Sequence, residues 1–198
     1  MHLIFYDINN KFIDAISNEV KRLPKYIKYT IYHSRLQEIT DKYKNNSLYV
    51  SPANSFGSMG GGLDFYLRLT FKGIQKEVQQ HIKNIGKPFK ESYIFDKFNT
   101  KNVPHIPVGK SIIFPLDNKK YKSFYNCWFS CTPTMIIPQD VSNSNNAYLA
   151  MKGLIDEIQK VKPDVKHIII SGFCTSVGCM DEKTAAKQMI DGILKSLN

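Results

Sequence analysis

The chain has 198 residues, of which 42% are hydrophobic and 22% charged, a balance that is ordinary for a globular protein. The apolar N-terminal run, residues 1–8, is too short to span a membrane and lacks the cleavage site of a signal peptide. We therefore expect a soluble cytoplasmic or nuclear protein with no membrane partner. The net charge of +10 favours an anionic partner such as a nucleotide or nucleic acid, although the lysines are spread along the chain.

The first half of the chain alternates predicted strands and helices. Strands are predicted at residues 2–8, 26–33 and 48–50, because each is rich in apolar or alternating residues. Between the first two lies a predicted helix that is capped by Asn9 or Asn10, buries Phe12, Ile16 and Val20, and stops at Pro24. A long helix is predicted over residues 64–85, with Gly73 as a potential break. Its apolar stripe comprises Tyr66, Ile74, Val78, Ile82 and Ile85.

The second half begins with a proline-rich stretch, residues 86–109, in which we expect loops and one strand near residues 93–95. Further strands are predicted at residues 111–115, 127–132 and 167–171, and helices begin at Asn145 and Asp181. Strands alternating with helices predict an α/β fold: a three-layer α/β/α sandwich with a mixed, centrally parallel sheet. Because no repeat or linker interrupts the pattern, we expect one domain, residues 1–198, and a monomer.

The four cysteines do not form a metal-binding pattern. Cys127, Cys131, Cys174 and Cys179 make neither a Cys-x-x-Cys pair nor a zinc spacing with the histidines. Cys127 and Cys131 are four apart in an apolar run, so on a strand they share one face. We expect these two thiols to be buried, and we expect no metal and no cofactor.

Two segments share the layout of an apolar strand, a loop of small residues and a helix. We call residues 51–64 the first loop and residues 171–181 the second loop. Glycines let the backbone approach a ligand, and amides at a following helix start hold an anion. Two such loops at the carboxyl ends of strands would grip a diphosphate and its sugars. Alternatively, the glycine run 60–62 is a flexible turn, and the second loop is a nucleophile elbow carrying Ser176 or Cys174.

The order of four segments resembles the macro domain. Ser-Pro-Ala-Asn at 51–54, leading to Gly-Gly-Gly-Leu-Asp at 60–64, is similar to the family's first binding loop. Residues 171–189 resemble its diphosphate loop and final helix. Residues 132–138 and 146–151 are similar to the A-P-T-M-x-x-P and N-x-Y-x-A-M segments of one branch of the family. The resemblance spans residues 50–198.

The resemblance implies an ADP-ribose site and a role for each matched residue. Asn54 matches the asparagine that binds the distal ribose, and Asp64 an aspartate that positions or activates water. An aspartate at a helix start is also favoured by the helix dipole alone, so both readings of Asp64 stay open. Phe173 would line the ribose. The implied binding residues are Asp7, Ile8, Ala53, Asn54, Gly60, Gly61, Gly62, Leu63, Gly172, Phe173, Cys174, Thr175, Ser176, Val177 and Gly178.

The chain departs from the family pattern in two places. Cys174, Ser176 and Cys179 stand where the diphosphate loop usually has glycine. The Gly-Asp-Ile that would contact adenine is missing, which leaves residues 7–8 as the candidate and residues 34–36 as the rival.

The resemblance implies binding of ADP-ribose or ADP-ribosylated protein, and two kinds of activity follow. One is hydrolysis at the distal ribose, as a mono-ADP-ribosyl hydrolase or an ADP-ribose 1''-phosphate phosphatase, with Asn54 and Asp64 as catalytic residues. The other is non-catalytic reading of ADP-ribosylated proteins, or nucleic-acid binding by the basic surface.

Overall fold

Strands and helices alternate along the chain in the computed structural model, which describes residues 1–88 and 103–198. The strands are β1 (His2–Asp7), β2 (Lys28–His33), β3 (Ser47–Ser51), β4 (Lys87–Pro88), β5 (Pro104–His105), β6 (Ile112–Pro115), β7 (Trp128–Cys131) and β8 (His167–Ile170). The helices are α1 (Asn10–Glu19), α2 (Leu36–Lys42), α3 (Gly62–Thr70), α4 (Ile74–Ile85), α5 (Asn146–Val161) and α6 (Glu182–Leu197).

The main sheet has six strands in the order β2-β1-β8-β3-β7-β6. In this order, the first five strands, β2, β1, β8, β3 and β7, run parallel to one another, whereas β6 pairs antiparallel with β7 at the edge. β4 and β5 form a separate small antiparallel pair. Because the five parallel strands end at one edge, the loops that follow β1, β2, β3 and β8 lie close together.

Successive side chains of the central strands point to opposite faces of the sheet, so the strands are covered on both sides. On β1, Leu3 and Phe5 enter one core with α1, α5 and α6, whereas Ile4 and Tyr6 enter the other core with α2, α3 and α4. β3 and β8 alternate in the same way. The predicted mixed, centrally parallel α/β/α sandwich is therefore confirmed.

Local signals explain several element boundaries. The Asn9 side chain accepts a hydrogen bond from the Lys11 N–H (3.0 Å) and begins α1, as predicted. Asp181 caps α6 by accepting from the Thr184 N–H (2.9 Å). Gly73, at φ 88°, divides the predicted long helix into α3 and α4, because a left-handed residue cannot continue a right-handed helix.

Two features of the elements differ from the predictions. Tyr66 and Ile85 were assigned to the buried stripe of one long helix but are 61% and 62% exposed; Tyr66 lies on α3, before the break at Gly73, and Ile85 is the last residue of α4. α2 was not predicted. The strand near residues 93–95 lies outside the described residues. The shared face of Cys127 and Cys131 is confirmed, since both thiols are buried in the α2–α4 core.

Within the described ranges, no helix combines the length and the apolar character needed to cross a bilayer.

Candidate functional site

A cleft of about 1320 Å³ lies at the carboxyl ends of β1, β2, β3 and β8. Asp7 at the end of β1, Ser34 after β2, Pro52 after β3 and Ser171 after β8 all line it. This is the edge at which open α/β sheets bind ligands, and the parallel order of the strands brings both predicted loops to it.

The cleft brings together all but one of the residues predicted to form the site. It is lined by Asp7, Ile8, Ala53, Asn54, Gly60, Gly61, Gly62, Leu63, Asp64, Gly172, Cys174, Thr175, Ser176, Val177 and Gly178. In the part of the chain that the structure describes, no histidine lines the cleft, and no three His, Cys, Asp or Glu side chains cluster as a metal site requires. The chemistry of the cleft therefore rests on carboxylates, hydroxyls and backbone amides.

Phe173 is the exception. Its side chain is fully buried, and it packs in the α1–α5–α6 core rather than facing the cleft. Its backbone N–H points at the Met189 sulfur (3.5 Å). Phe173 was expected to line the ribose, but its ring lies in this core and does not line the cleft.

Asn54 holds the first loop in shape. Its Oδ1 accepts from the N–H groups of Phe56 (3.1 Å) and Ser58 (3.2 Å), while its Nδ2 donates to the Ser58 carbonyl (3.2 Å). One of the two Nδ2 hydrogens stays available to a ligand, because an amide nitrogen carries two donors. The role of Asn54 is therefore structural first, with a single donor left over.

The glycine run leads into α3 and faces open space. An added Cβ on Gly60, Gly61 or Gly62 would meet no heavy atom within 4 Å. Gly62 also has φ 56°, whereas Gly61 is extended at φ −151°. Because the protein itself does not fill this space, the missing side chains leave room in the cleft and keep the amides at the start of α3 accessible.

Asp64 lies in the first turn of α3, half-buried at the wall of the cleft. The buried Ser51 hydroxyl donates to its Oδ1 at 2.6 Å. Burial raises the pKa of Asp64 to about 6, and the hydrogen bond from Ser51 opposes this rise. A carboxylate whose pKa lies near neutrality is suited to proton transfer at physiological pH.

The second loop presents a row of backbone donors. Among the described residues, the N–H groups of residues 174–178 meet no protein acceptor. The carbonyls of Cys174 and Ser176 accept from the N–H groups of Met180 and Cys179, both at 3.0 Å. Consecutive amides that point into a cleft form an anion-binding nest.

The Ser171 hydroxyl adds a further polar group at the start of the second loop. It lines the cleft, is 5% exposed, and has no hydrogen-bond partner within the described ranges. A buried hydroxyl without a partner is costly, so it marks a position where a ligand atom or water completes the bonding.

Asp7 connects the first strand to the second loop. Its carboxylate accepts from the Gly172 N–H (3.1 Å) and from the Asn9 N–H (3.0 Å). Asp7 thereby fixes the loop as well as lining the cleft. The rival residues, Ser34 to Leu36, line the same end of the cleft. Residues 7–8 and residues 34–36 therefore both line the cleft as candidates to contact the adenine base.

The nucleophile-elbow alternative finds no base. Ser176 has no hydrogen bond to a histidine or carboxylate among the described residues. Burial raises the pKa of the Cys174 thiol to about 12, so that thiol stays protonated at neutral pH. Neither side chain meets the requirements of an activated nucleophile.

Sequence reasoning did not assign roles to Tyr6 and Ser171, which line the cleft, or to Ser51, whose hydroxyl binds Asp64. Each stands at or next to the carboxyl end of a buried strand, beside the cleft. A polar residue at the end of an apolar strand is the signal that would have identified them.

The glycines of the two loops should respond differently to substitution. A Cβ on Gly178 would lie 2.5 Å from the Cys174 carbonyl oxygen, against open space at Gly61. We expect Gly178→Ala to lower the free energy of unfolding by about 1–3 kcal/mol, measured by urea denaturation. Gly61→Ala is the matched control and should change it by less than about 1 kcal/mol. Equal losses in both variants would contradict the assignment of Gly61 to open cleft.

No protein-family model and no curated protein sequence matches the chain. Its fold is similar to the macrodomain of Mycobacterium tuberculosis DarG, with a TM-score of 0.52, 12% identity, and coverage of 76% of this chain and 82% of that one. An Oceanobacillus iheyensis macrodomain with ADP gives a TM-score of 0.52, 15% identity, and coverage of 78% and 72%.

A third solved structure, Thermosipho africanus DarTG in complex with ADP-ribose, gives a TM-score of 0.53 at 14% identity; the match covers 77% of this chain and 36% of that one. The chain has the macrodomain fold. The resemblance to the family is thereby confirmed at the level of the fold.

Proposed function

We propose that this macrodomain-fold protein binds ADP-ribose or an ADP-ribose derivative in the cleft and hydrolyses the bond at the distal ribose. The diphosphate lies on the amides of the second loop, and the distal ribose lies against the glycine run. The structural neighbours that hold ADP or ADP-ribose support this choice of ligand.

The diphosphate is held by backbone groups rather than by basic side chains. In the described ranges, Arg35 is the one basic residue among those that line the cleft. The unpaired N–H groups of residues 174–178 and the partnerless Ser171 hydroxyl supply donors instead. Amides fixed in one orientation bind a phosphate without the entropy loss of long flexible side chains. The net charge of the chain then contributes long-range attraction rather than direct contacts.

The cleft also contains the groups that hydrolysis requires. Asp64 accepts a proton from a water molecule as the water oxygen bonds to the anomeric carbon of the distal ribose. The bond from that carbon to its substituent breaks with its electron pair going to the substituent, which takes up a proton from solvent as Asp64 releases its own. The remaining Nδ2 hydrogen of Asn54 holds a ribose hydroxyl, and the α3 amides stabilise developing charge.

The open glycine run is the observation that carries the proposal, and Gly61→Val tests it. Valine tolerates the extended backbone at residue 61, and its side chain would enter empty cleft. We expect calorimetric titration with ADP-ribose to give micromolar binding for the wild type and at least about tenfold weaker binding for the variant, a loss of about 1.4 kcal/mol. The melting temperature should stay nearly unchanged.

Absence of ADP-ribose binding by the wild-type protein would overturn the proposed ligand. Unchanged affinity in Gly61→Val would instead remove the ribose from the glycine run. Asn54→Ala is a poorer probe, because it also breaks the three hydrogen bonds that shape the first loop.

A second candidate function is a non-catalytic reader or a nucleic-acid-binding module, which the net charge of +10 favours. Such a protein binds ADP-ribose or nucleic acid without turnover. For nucleic acid, affinity falls steeply with salt concentration because binding releases counterions. Filter binding of single-stranded and duplex DNA between 50 and 200 mM salt, roughly the range over which such losses are large, tests the nucleic-acid-binding function.

A further inference from the structure

Part of the cleft lining comes from α2, α3 and the segment before β7. We call this part the side lobe and define it by Thr40, Asp41, Tyr66, Leu69, Thr70 and Phe124. Tyr66 and Leu69 lie three residues apart on one face of α3 and are 61% and 55% exposed. The volume of the whole cleft, about 1320 Å³, exceeds the roughly 300–1,000 Å³ of ordinary small-molecule sites, so it has room for more than a nucleotide.

Tyr6 brings a further polar group to the cleft. Its side chain is 3% exposed and lines the cleft, yet its hydroxyl forms no hydrogen bond within the described residues. Burial, together with the nearby carboxylates of Asp7 and Asp64, raises the pKa of Tyr6, so the hydroxyl stays neutral. A neutral phenol offers both a donor and an acceptor to a bound group.

The charges around the side lobe are acidic. Asp41 lines it from α2, and Asp64 lines the same cleft from the first turn of α3, as does Arg35 at the start of α2. The cations of the two helices point elsewhere: Lys42 donates to the Tyr32 hydroxyl (2.6 Å), and the Arg68 guanidinium lies over the Phe65 ring (5.2 Å). Carboxylates and aromatic rings together favour a cation and oppose a phosphate.

We propose that the side lobe receives the guanidinium group of an ADP-ribosylated arginine, with the Tyr6 hydroxyl and the Asp41 carboxylate as hydrogen-bond acceptors. This inference rests on the proposed function and selects within it. It names arginine-linked ADP-ribose as the substrate and disfavours ADP-ribose 1''-phosphate, whose added negative charge would face two carboxylates.

The test compares ADP-ribosylarginine, ADP-ribose 1''-phosphate and free ADP-ribose in wild type, Leu69→Trp, Tyr6→Phe and Asp41→Asn. Filling the side lobe with tryptophan should lower kcat/KM for ADP-ribosylarginine by about tenfold or more and leave the Kd of free ADP-ribose within about twofold. Tyr6→Phe and Asp41→Asn should each lower kcat/KM for ADP-ribosylarginine by roughly fivefold, because each removes about one hydrogen bond. If the wild type binds without turnover, the same comparison is made on the Kd of ADP-ribosylarginine.

The controls are Ile85→Trp and Tyr125→Phe, both at exposed positions that do not line the cleft. Loss of free ADP-ribose affinity in Leu69→Trp would show that the side lobe holds the base and overturn the inference. Faster cleavage of the 1''-phosphate than of the arginine conjugate would overturn it too. In both cases ADP-ribose still binds the wild type, so the proposed function stands. If ADP-ribose does not bind the wild type, the proposed function and this inference both fail.

Discussion

Replacing Asp64 with asparagine is expected to lower kcat on an ADP-ribose conjugate by about 100-fold or more while the Kd of free ADP-ribose changes little. Asparagine keeps the size of the side chain and can still accept from Ser51, but it cannot take a proton from water. Single-turnover release of ADP-ribose, alongside calorimetric titration, measures the two quantities separately. Asp14→Asn, an exposed position on α1 away from the cleft, is the matched control.

The pH dependence supplies a second readout of Asp64. Because burial raises its pKa to about 6, the rate should rise as pH increases through about 6, where the carboxylate forms. The same shift has the opposite effect on stability. The contribution of Asp64 is fully favourable below its unfolded pKa of 3.8 and is lost as pH rises through about 6. Asp64→Asn should therefore melt at a higher temperature than wild type at pH 8, and not at pH 4.

If Asp64→Asn leaves the rate unchanged, Asp64 only stabilises the start of α3 through the helix dipole and takes no part in catalysis. That outcome would leave the reader function standing, because binding through the second loop does not need this carboxylate. A large loss of ADP-ribose affinity in the same variant would mean that Asp64 contacts the ribose directly, and the loss of rate would then reflect binding.

Phe173→Ala is expected to have the largest effect on stability, a loss of about 3–5 kcal/mol in the free energy of unfolding, because a fully buried ring leaves a cavity. Urea denaturation measures the loss. The affinity of the folded fraction for ADP-ribose should fall less than in Gly61→Val, since the ring does not line the cleft. Phe65→Ala, at 36% exposure, is the control and should cost much less.

The opposite pattern in Phe173→Ala would restore the original expectation for this residue. Full stability with a strong loss of ADP-ribose affinity would place the ring against the ribose. The two outcomes differ in the measured quantity as well as in its size, so the substitution distinguishes a core residue from a binding residue.

Much of the fold could be predicted from local sequence. The strand at residues 2–8, the helix that Asn9 caps and the break at Gly73 follow from alternation, capping and backbone freedom, which act within a few residues. α2 was missed because it has seven residues, few apolar positions and no side-chain cap at Arg35. So short a helix is stabilised by packing on the sheet rather than by its own propensity.

The outline of the candidate site also follows from local sequence. The sequence by itself determined the two glycine-containing loops, their place after strands, and the position of Asp64 at the start of a helix. These features depend on residue type and spacing. Only the tertiary structure decided that Phe173 lies in the core, that Asn54 closes its own loop, and that Tyr6 lines the cleft. Those facts depend on which elements pack together, and the order of strands in the sheet fixes contacts between residues that are far apart in the chain.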